Sequence, residues 1–269
     1  MKKILFIGLV LISFILNGQM IPSRSIKFVE ESLLKDAGKK VELYEFNKRD
    51  FSHIWMKNQE AIIGYIGVDF QRIQIHFISI IKNQHIDNEY FVYGKSKVKN
   101  NVCDFQGKFI ITHIRNFNTA EIEALYKEAL KHGDKDAIRR FGKERCFILA
   151  KCFLYEDQEQ KGSGVFVGVI KSYFYIENGV LFYDDLDLGV KDDYANNQFI
   201  GVWQNYKTLV QKPCSWGEYR IHNAGDLDTG VGEFSPNMKY LDKGWYTYYQ
   251  AYNKFDNEAI KKENIKWWE

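Results

Sequence analysis

Proline is scarce in this chain, three residues in 269, and neither sign of charge is in excess. Few prolines mean few positions where a ladder lacks its N–H donor, so long strands are permitted. Lysine and arginine number 37 against 35 acidic residues, and setting aside Lys2 and Lys3 leaves 37 − 2 = 35 against 35. That balance excludes nucleic acid as a partner, because phosphate binding needs a basic surplus on one face. Cysteine offers no Cys-x-x-Cys or Cys/His metal spacing, and no G-x-S-x-G, H-E-x-x-H or Walker loop occurs. No catalytic residue, metal ligand set or cofactor is therefore assigned.

Aromatic residues, in contrast, make up 16% of the chain, a composition suited to pleated, half-buried surfaces. The first 18 residues read as a secretory signal: Lys2-Lys3 is basic, Ile4–Leu16 is apolar, and Asn17-Gly18 offers a cleavage point. The apolar run spans 13 residues, short of the roughly 20 that cross a bilayer, so the product after cleavage is expected to be exported and not membrane-spanning. A periplasmic or extracellular location follows from that expectation. Four cysteines, Cys103, Cys146, Cys152 and Cys214, would then meet an oxidising compartment, where one or two disulfides could form in any of three complete pairings. The alternative is four packed thiols, since cysteine is often buried as a small hydrophobe.

The remainder, 19–269, reads as one mostly β domain. Ile26, Val29, Leu33 and Leu34 predict a short first helix with Ser25 as its cap and Gly38 as its stop. Val41–Phe46 alternates briefly, and in Ile62–Lys82 the residues Ile73, Ile75 and Phe77 fall on one face. Glu89–Lys99, an Asn100-Asn101 turn and Val102–Arg115 form a hairpin; Cys146–Tyr155, Val165–Ile176, the Glu177-Asn178-Gly179 turn and Val180–Tyr183 continue the series. Consecutive hairpins predict an antiparallel sheet, strongly curved or closed into a barrel. Between them, 118–142 switches to helical period: Ile122, Leu125 and Ala129 make a stripe over Asn118–His132, Gly133 ends it, and a second short helix over Asp136–Phe141 follows. This helical insertion is expected to pack on the sheet or cap its end. An acidic linker, Asp184–Asp193, leads to the densest stretch, and an aromatic tail from Tyr240 ends on exposed-looking Trp267-Trp268.

That stretch, Gln198–Glu233, starts as a strand with Phe199, Gly201 and Trp203 on one face; Trp216, Tyr219 and Ile221 suggest another. Phe199-Ile-Gly201-Val-Trp203 resembles the Phe-x-Gly-x-Trp opening of lipocalin-like (calycin) barrels, which implies an antiparallel barrel with a central cavity. Here most strands precede the motif, so the likeness implies an analogous or rearranged barrel. The wider pattern looks like a set of exported bacterial proteins with no activity to carry over. It comprises Asn196-Asn197-Gln198-Phe199, Tyr206-Lys207-Thr208, Cys214, Trp216-Gly217, Arg220-Ile221, Gly225-Asp226-Leu227-Asp228 and Gly232-Glu233-Phe234-Ser235.

The first functional expectation is a non-enzymatic ligand-binding or structural barrel, whose cavity or rim, lined by Trp203, Trp216, Tyr219 and Arg220, would take a small apolar or carbohydrate ligand. The second uses Asp226, Asp228 and Glu233 as a carboxylate pair of a glycoside hydrolase, or as oxygen ligands in a calcium-like loop that lacks the full EF-hand set. The plainer reading of the same residues is a structural Asx-turn loop whose side chains cap their own backbone. A Cys214/His222 pair and a protein partner for the aromatic tail complete the alternatives.

Overall fold

The computed structural model describes residues 20–35, 40–41, 49–116, 120–185 and 195–269. The expected signal peptide, most of Val41–Phe46 and most of the acidic linker lie outside the described residues. Among the described residues, ten strands account for the bulk of the fold: β1 (Lys40–Val41), β2 (Ile62–Ile66), β3 (Gln71–Lys82), β4 (Glu89–Val98), β5 (Asn101–Asn116), β6 (Glu144–Glu156), β7 (Gly164–Glu177), β8 (Val180–Tyr183), β9 (Gln198–Asn205) and β10 (Gln211–Glu218). Pairing runs β2-β3-β4-β5-β6-β7-β9-β10 and returns from β10 to β2 through Cys214↔Ile66 to Glu218↔Ile62. Every pair is antiparallel, so eight strands form a barrel-like ring, with β1 added to β5 and β8 added to β7. Closing a sheet on itself removes the unpaired edges that invite aggregation. The mainly β expectation holds. The hairpin turn lies one residue earlier than expected, at Lys99-Asn100, because Lys99 rather than an asparagine takes the positive φ of 56°.

Period-2 alternation decides what faces inward. Phe77, Phe105, Phe109, Phe166, Phe174, Phe199 and Trp216 come from the inner faces of β3, β5, β7, β9 and β10 and fill the middle of the ring. Phe199 stacks on Trp216 at 3.7 Å between ring centroids. It can lie there because the floor beneath it is glycine on two adjacent strands. A Cβ on Gly168 would sit 2.4 Å from Ile200 O, and one on Gly201 2.2 Å from Val167 O, each also striking the Phe199 ring. One end of the ring is plugged by the short helix α2 (Ser52–Trp55), whose fully buried Trp55 meets Tyr90 and Phe109 edge-on and donates Nε1–H to Ser172 Oγ at 3.0 Å.

The outer wall is covered in two places. The first is under α1 (Ser23–Lys35), where Phe28 packs on Phe147, Leu149, Val169 and Ile200. The apolar stripe expected there is rotated: Ile26 and Leu34 are exposed, and Ser25, instead of capping, is buried and donates to Ile200 O. Tertiary contact overrides the local pattern because Arg24 anchors the helix: its Nη1 donates to Gly201 O at 2.8 Å and Cys214 O at 3.3 Å, its Nη2 to Tyr65 Oη and Ser215 Oγ. Replacing Arg24 by alanine is expected to cost about 2–4 kcal/mol, since charge-assisted bonds to partly buried acceptors are lost together. Urea denaturation would read the loss, and a change within a few tenths of a kcal/mol would show that α1 is only loosely seated.

The second cover is the C-terminal segment, in which Ile221, Leu227, Phe234 and the fully buried Trp245 pack on Ile63 and Tyr65 of β2. A 3₁₀ stretch (Met238–Lys243) leads into it. The insertion forms α3 (Ala120–His132) and α4 (Lys135–Phe141), as expected, while α5 (Tyr246–Tyr248) and α6 (Asn257–Glu263) belong to the tail. Arg72 pairs with Glu263 at 2.6 Å, and Trp268 stacks on His76 at 3.9 Å. Trp267 and Trp268, expected to be exposed, thus lie half-buried against the ring's own wall, while Tyr246, Tyr252 and Phe255 of the tail face outward.

Candidate functional site

The end opposite α2 is open. There β2–β3, β4–β5, β6–β7 and β9–β10 turn, and a cavity of about 550 Å³ lies between them. Its apolar wall is Ile66, Ile73, Val98, Phe166 and Trp203, and its rim carries Asn100, Asn101, Lys161 and Lys212. Below, Phe166 meets Trp216 edge-on at 5.7 Å, so the aromatic stack closes the floor and the cavity does not run through the ring.

One carboxyl lines this apolar mouth. Glu156 is the last residue of β6, in the inward register of Cys146, Ile148, Ala150, Cys152 and Leu154, and only 5% of it is exposed. Ser96 Oγ donates to its Oε1, while Gly164 N at 2.8 Å and Trp203 Nε1 at 2.9 Å donate to Oε2. These bonds tie β4, β7 and β9 to the end of β6. Burial pushes the Glu156 carboxyl above its usual range, and the hydrogen bonds from Ser96, Trp203 and Gly164 pull back. Among the described residues no cation pairs with it. Burial and the same carboxylate push the nearby Cys103 thiol up to about 11, so it stays a thiol at neutral pH.

The sequence-based candidates separate. Trp203 lines the mouth, but Trp216 does not; it is wholly buried beneath the floor as packing. Tyr219 and Arg220 follow the far end of β10, away from the mouth. Arg220 donates to Asp228 Oδ2 at 2.6 Å and to the carbonyls of Gly230, Val231 and Gly232. Asp228 Oδ1 accepts from Gly230 N and Ser235 N, so that carboxylate serves its own loop. The positive charge this loop holds is the Arg220 guanidinium. Asp226 is exposed and takes Lys239 Nζ and Tyr240 Oη, and Glu233 is exposed. A pair of carboxylates converging in a pocket is not formed by these three.

The cysteine expectations are corrected in the same way. All four are free, buried thiols spread around the inner wall. Cys152 and Cys214 share a row of the ring, yet Gly168 and Gly201 stand between them, so no bridge can close. His222 is outside, 4.8 Å from Phe28, across the wall from Cys214.

Comparison with known protein families, curated proteins and solved structures finds no match. The likeness at Phe199–Trp203 is accompanied here by a barrel-like ring and by no relative. Among the described residues, no helix is long and apolar enough to cross a membrane, and no group of three or more His, Cys, Asp or Glu could hold a metal ion.

Two residues that sequence reasoning passed over, Glu156 and Glu218, carried a usable signal. Each is an acid that directly follows apolar residues of the inward register, Glu156 after Cys152 and Leu154 and Glu218 after Cys214 and Trp216. A second depression, about 430 Å³ between the insertion and the base of β6–β7, is lined by Arg139, Arg140, Lys143 and Arg145 but equally by Asp136, Glu177 and Asp185. Its charges nearly cancel.

Proposed function

We propose that this is an exported, non-enzymatic binding protein that holds a small amphipathic molecule in the open mouth of a lipocalin-like ring. The observation that carries the reading is the cavity itself: a largely apolar chamber of about 550 Å³ with one buried carboxyl and an indole in its lining. Concave, mostly apolar sites with a few fixed polar groups are where small molecules bind, and barrel mouths are a recurrent place for them. The aromatic filling below limits the ligand to the mouth's depth. Export is supported by Lys2-Lys3 before Ile4–Leu16, and the mass of the secreted product is expected to lack the first 18 residues.

Titration with the neutral fluorophore N-phenyl-1-naphthylamine tests the site. Wild-type protein is expected to bind the dye in the mouth, and Val98→Trp, which fills the cavity from β4, is expected to weaken binding by about tenfold, equivalent to ~1.4 kcal/mol. Unchanged dye affinity in Val98→Trp, with the fold intact by circular dichroism, would remove the mouth as the binding site. Native mass spectrometry of protein purified from its host would name the occupant.

A further inference from the structure

The carboxyl at the floor of the mouth is buried without a counter-ion, and that absence of charge compensation says what the cavity selects. Three neutral donors, Ser96 Oγ, Gly164 N and Trp203 Nε1, occupy part of Glu156's acceptor capacity; an ionised carboxylate has about four lone-pair sites, so one remains. A buried carboxylate held only by neutral donors bears a desolvation penalty that an incoming cation would offset. The nearest candidates on the protein, Lys161 and Lys212 at the rim, are exposed, and neither forms an ion pair with it. Lys161 is exposed, and Lys212, also exposed, holds its Nζ 5.8 Å from the Trp203 ring centroid, over the indole and not on the carboxyl, so neither ammonium neutralises Glu156. Tyr206 adds a second unused group: its hydroxyl lies within electrostatic range of Glu156 and is buried with no hydrogen-bond partner. Beside the carboxyl stand aromatic surfaces, Trp203 and Phe166, which favour a cation over an anion.

Resting on the reading of the mouth as the ligand site, we propose that it takes a primary amine on a small apolar or aromatic body, with the ammonium on Glu156 and the body against Trp203, Phe166, Ile66 and Ile73. Such a group brings three N–H donors: one fills the free carboxylate site, and the others are available to neighbouring oxygens.

Three probes of nearly equal shape decide it: 2-phenylethylamine, 2-phenylethanol and 3-phenylpropanoate, titrated at one ionic strength into wild-type protein, with the Trp203 indole N–H resonance as the reporter of the mouth. The amine is expected to shift that resonance and to bind about tenfold or more tighter than the alcohol and the acid, a factor worth ~1.4 kcal/mol. In Glu156→Gln the amine should lose its advantage and match the alcohol. If the acid or the alcohol shifts the resonance with equal or higher affinity in wild-type protein, the amine proposal falls while the mouth remains a ligand site. If none of the three moves the Trp203 signal, the mouth reading falls with it. The ranking on wild-type protein decides the question even if Glu156→Gln fails to fold.

Discussion

Replacing Trp216 by alanine is expected to lower stability by about 3–5 kcal/mol, the range for truncating a large core aromatic. Trp216 is fully buried, stacked on Phe199 and met edge-on by Phe166. The void it leaves cannot collapse readily, because Gly201 on the adjacent strand β9 and Gly168 on β7 beyond it have no side chains to move in and their strands are locked in the ring. Trp216→Phe should be far milder, about 1–2 kcal/mol. It keeps a stacked ring and removes an indole N–H that is buried without a hydrogen-bond partner, which offsets part of the lost volume. Urea midpoints for the three proteins would check the order. An alanine variant within ~1 kcal/mol of wild type would mean that the interior is not packed around this indole.

Glu218 sets the second large effect, and its size depends on pH. It is the inward residue at the far end of β10, wholly buried, accepting from Asn197 Nδ2 at 2.5 Å and from the Tyr183 hydroxyl. Burial pushes its carboxyl up to about 8 against an ordinary 4.5, with the Tyr183 and Asn197 hydrogen bonds opposing. Between those two values the folded protein holds a proton that the unfolded chain has released. Folding stability from this group is therefore fully present below about 4.5 and is lost as pH rises through about 8. Glu218→Gln keeps the shape and cannot ionise. Relative to wild type it is expected to be close in stability near pH 4 and more stable by a few kcal/mol near pH 9, since each tenfold difference in proton affinity between the folded and unfolded chain is worth about 1.4 kcal/mol. Comparing the two proteins at each pH cancels every other titrating group. A stability difference that stays flat from pH 4 to pH 9 would contradict a proton on Glu218.

Much of the wall was legible from local pattern. Alternation in β3 named Ile73, Ile75 and Phe77 as inward residues, and Asn178-Gly179, both at positive φ, gave the β7–β8 turn directly. The insertion was legible because its period changes to that of a helix and Gly133 stops it at a φ of 66°. The mouth was only half legible. Trp203 was named, and Glu156 was readable as an acid in an apolar register, but the glycines and acids after Tyr219 are more numerous and drew attention to a loop that binds its own arginine.

Local sequence was enough for most strands and their faces, the helical insertion and the hairpin order, because each follows from the side-chain periods and turn chemistry of a few consecutive residues. The strand expected over Trp216, Tyr219 and Ile221 instead runs Gln211–Glu218, since Pro213 is accommodated in the ladder and the chain leaves it at Tyr219, where φ is 60°. Only the tertiary structure decided which inward residues are filling and which line a cavity. Trp203 and Trp216 have the same register and the same chemistry; what separates them is height in a ring closed by β10 against β2, strands about 150 residues apart in the chain. Closure also decided that the tail's tryptophans cover the wall, that the thiols stay apart across two glycines, and that Glu156 stands at the floor of the mouth without a cation beside it.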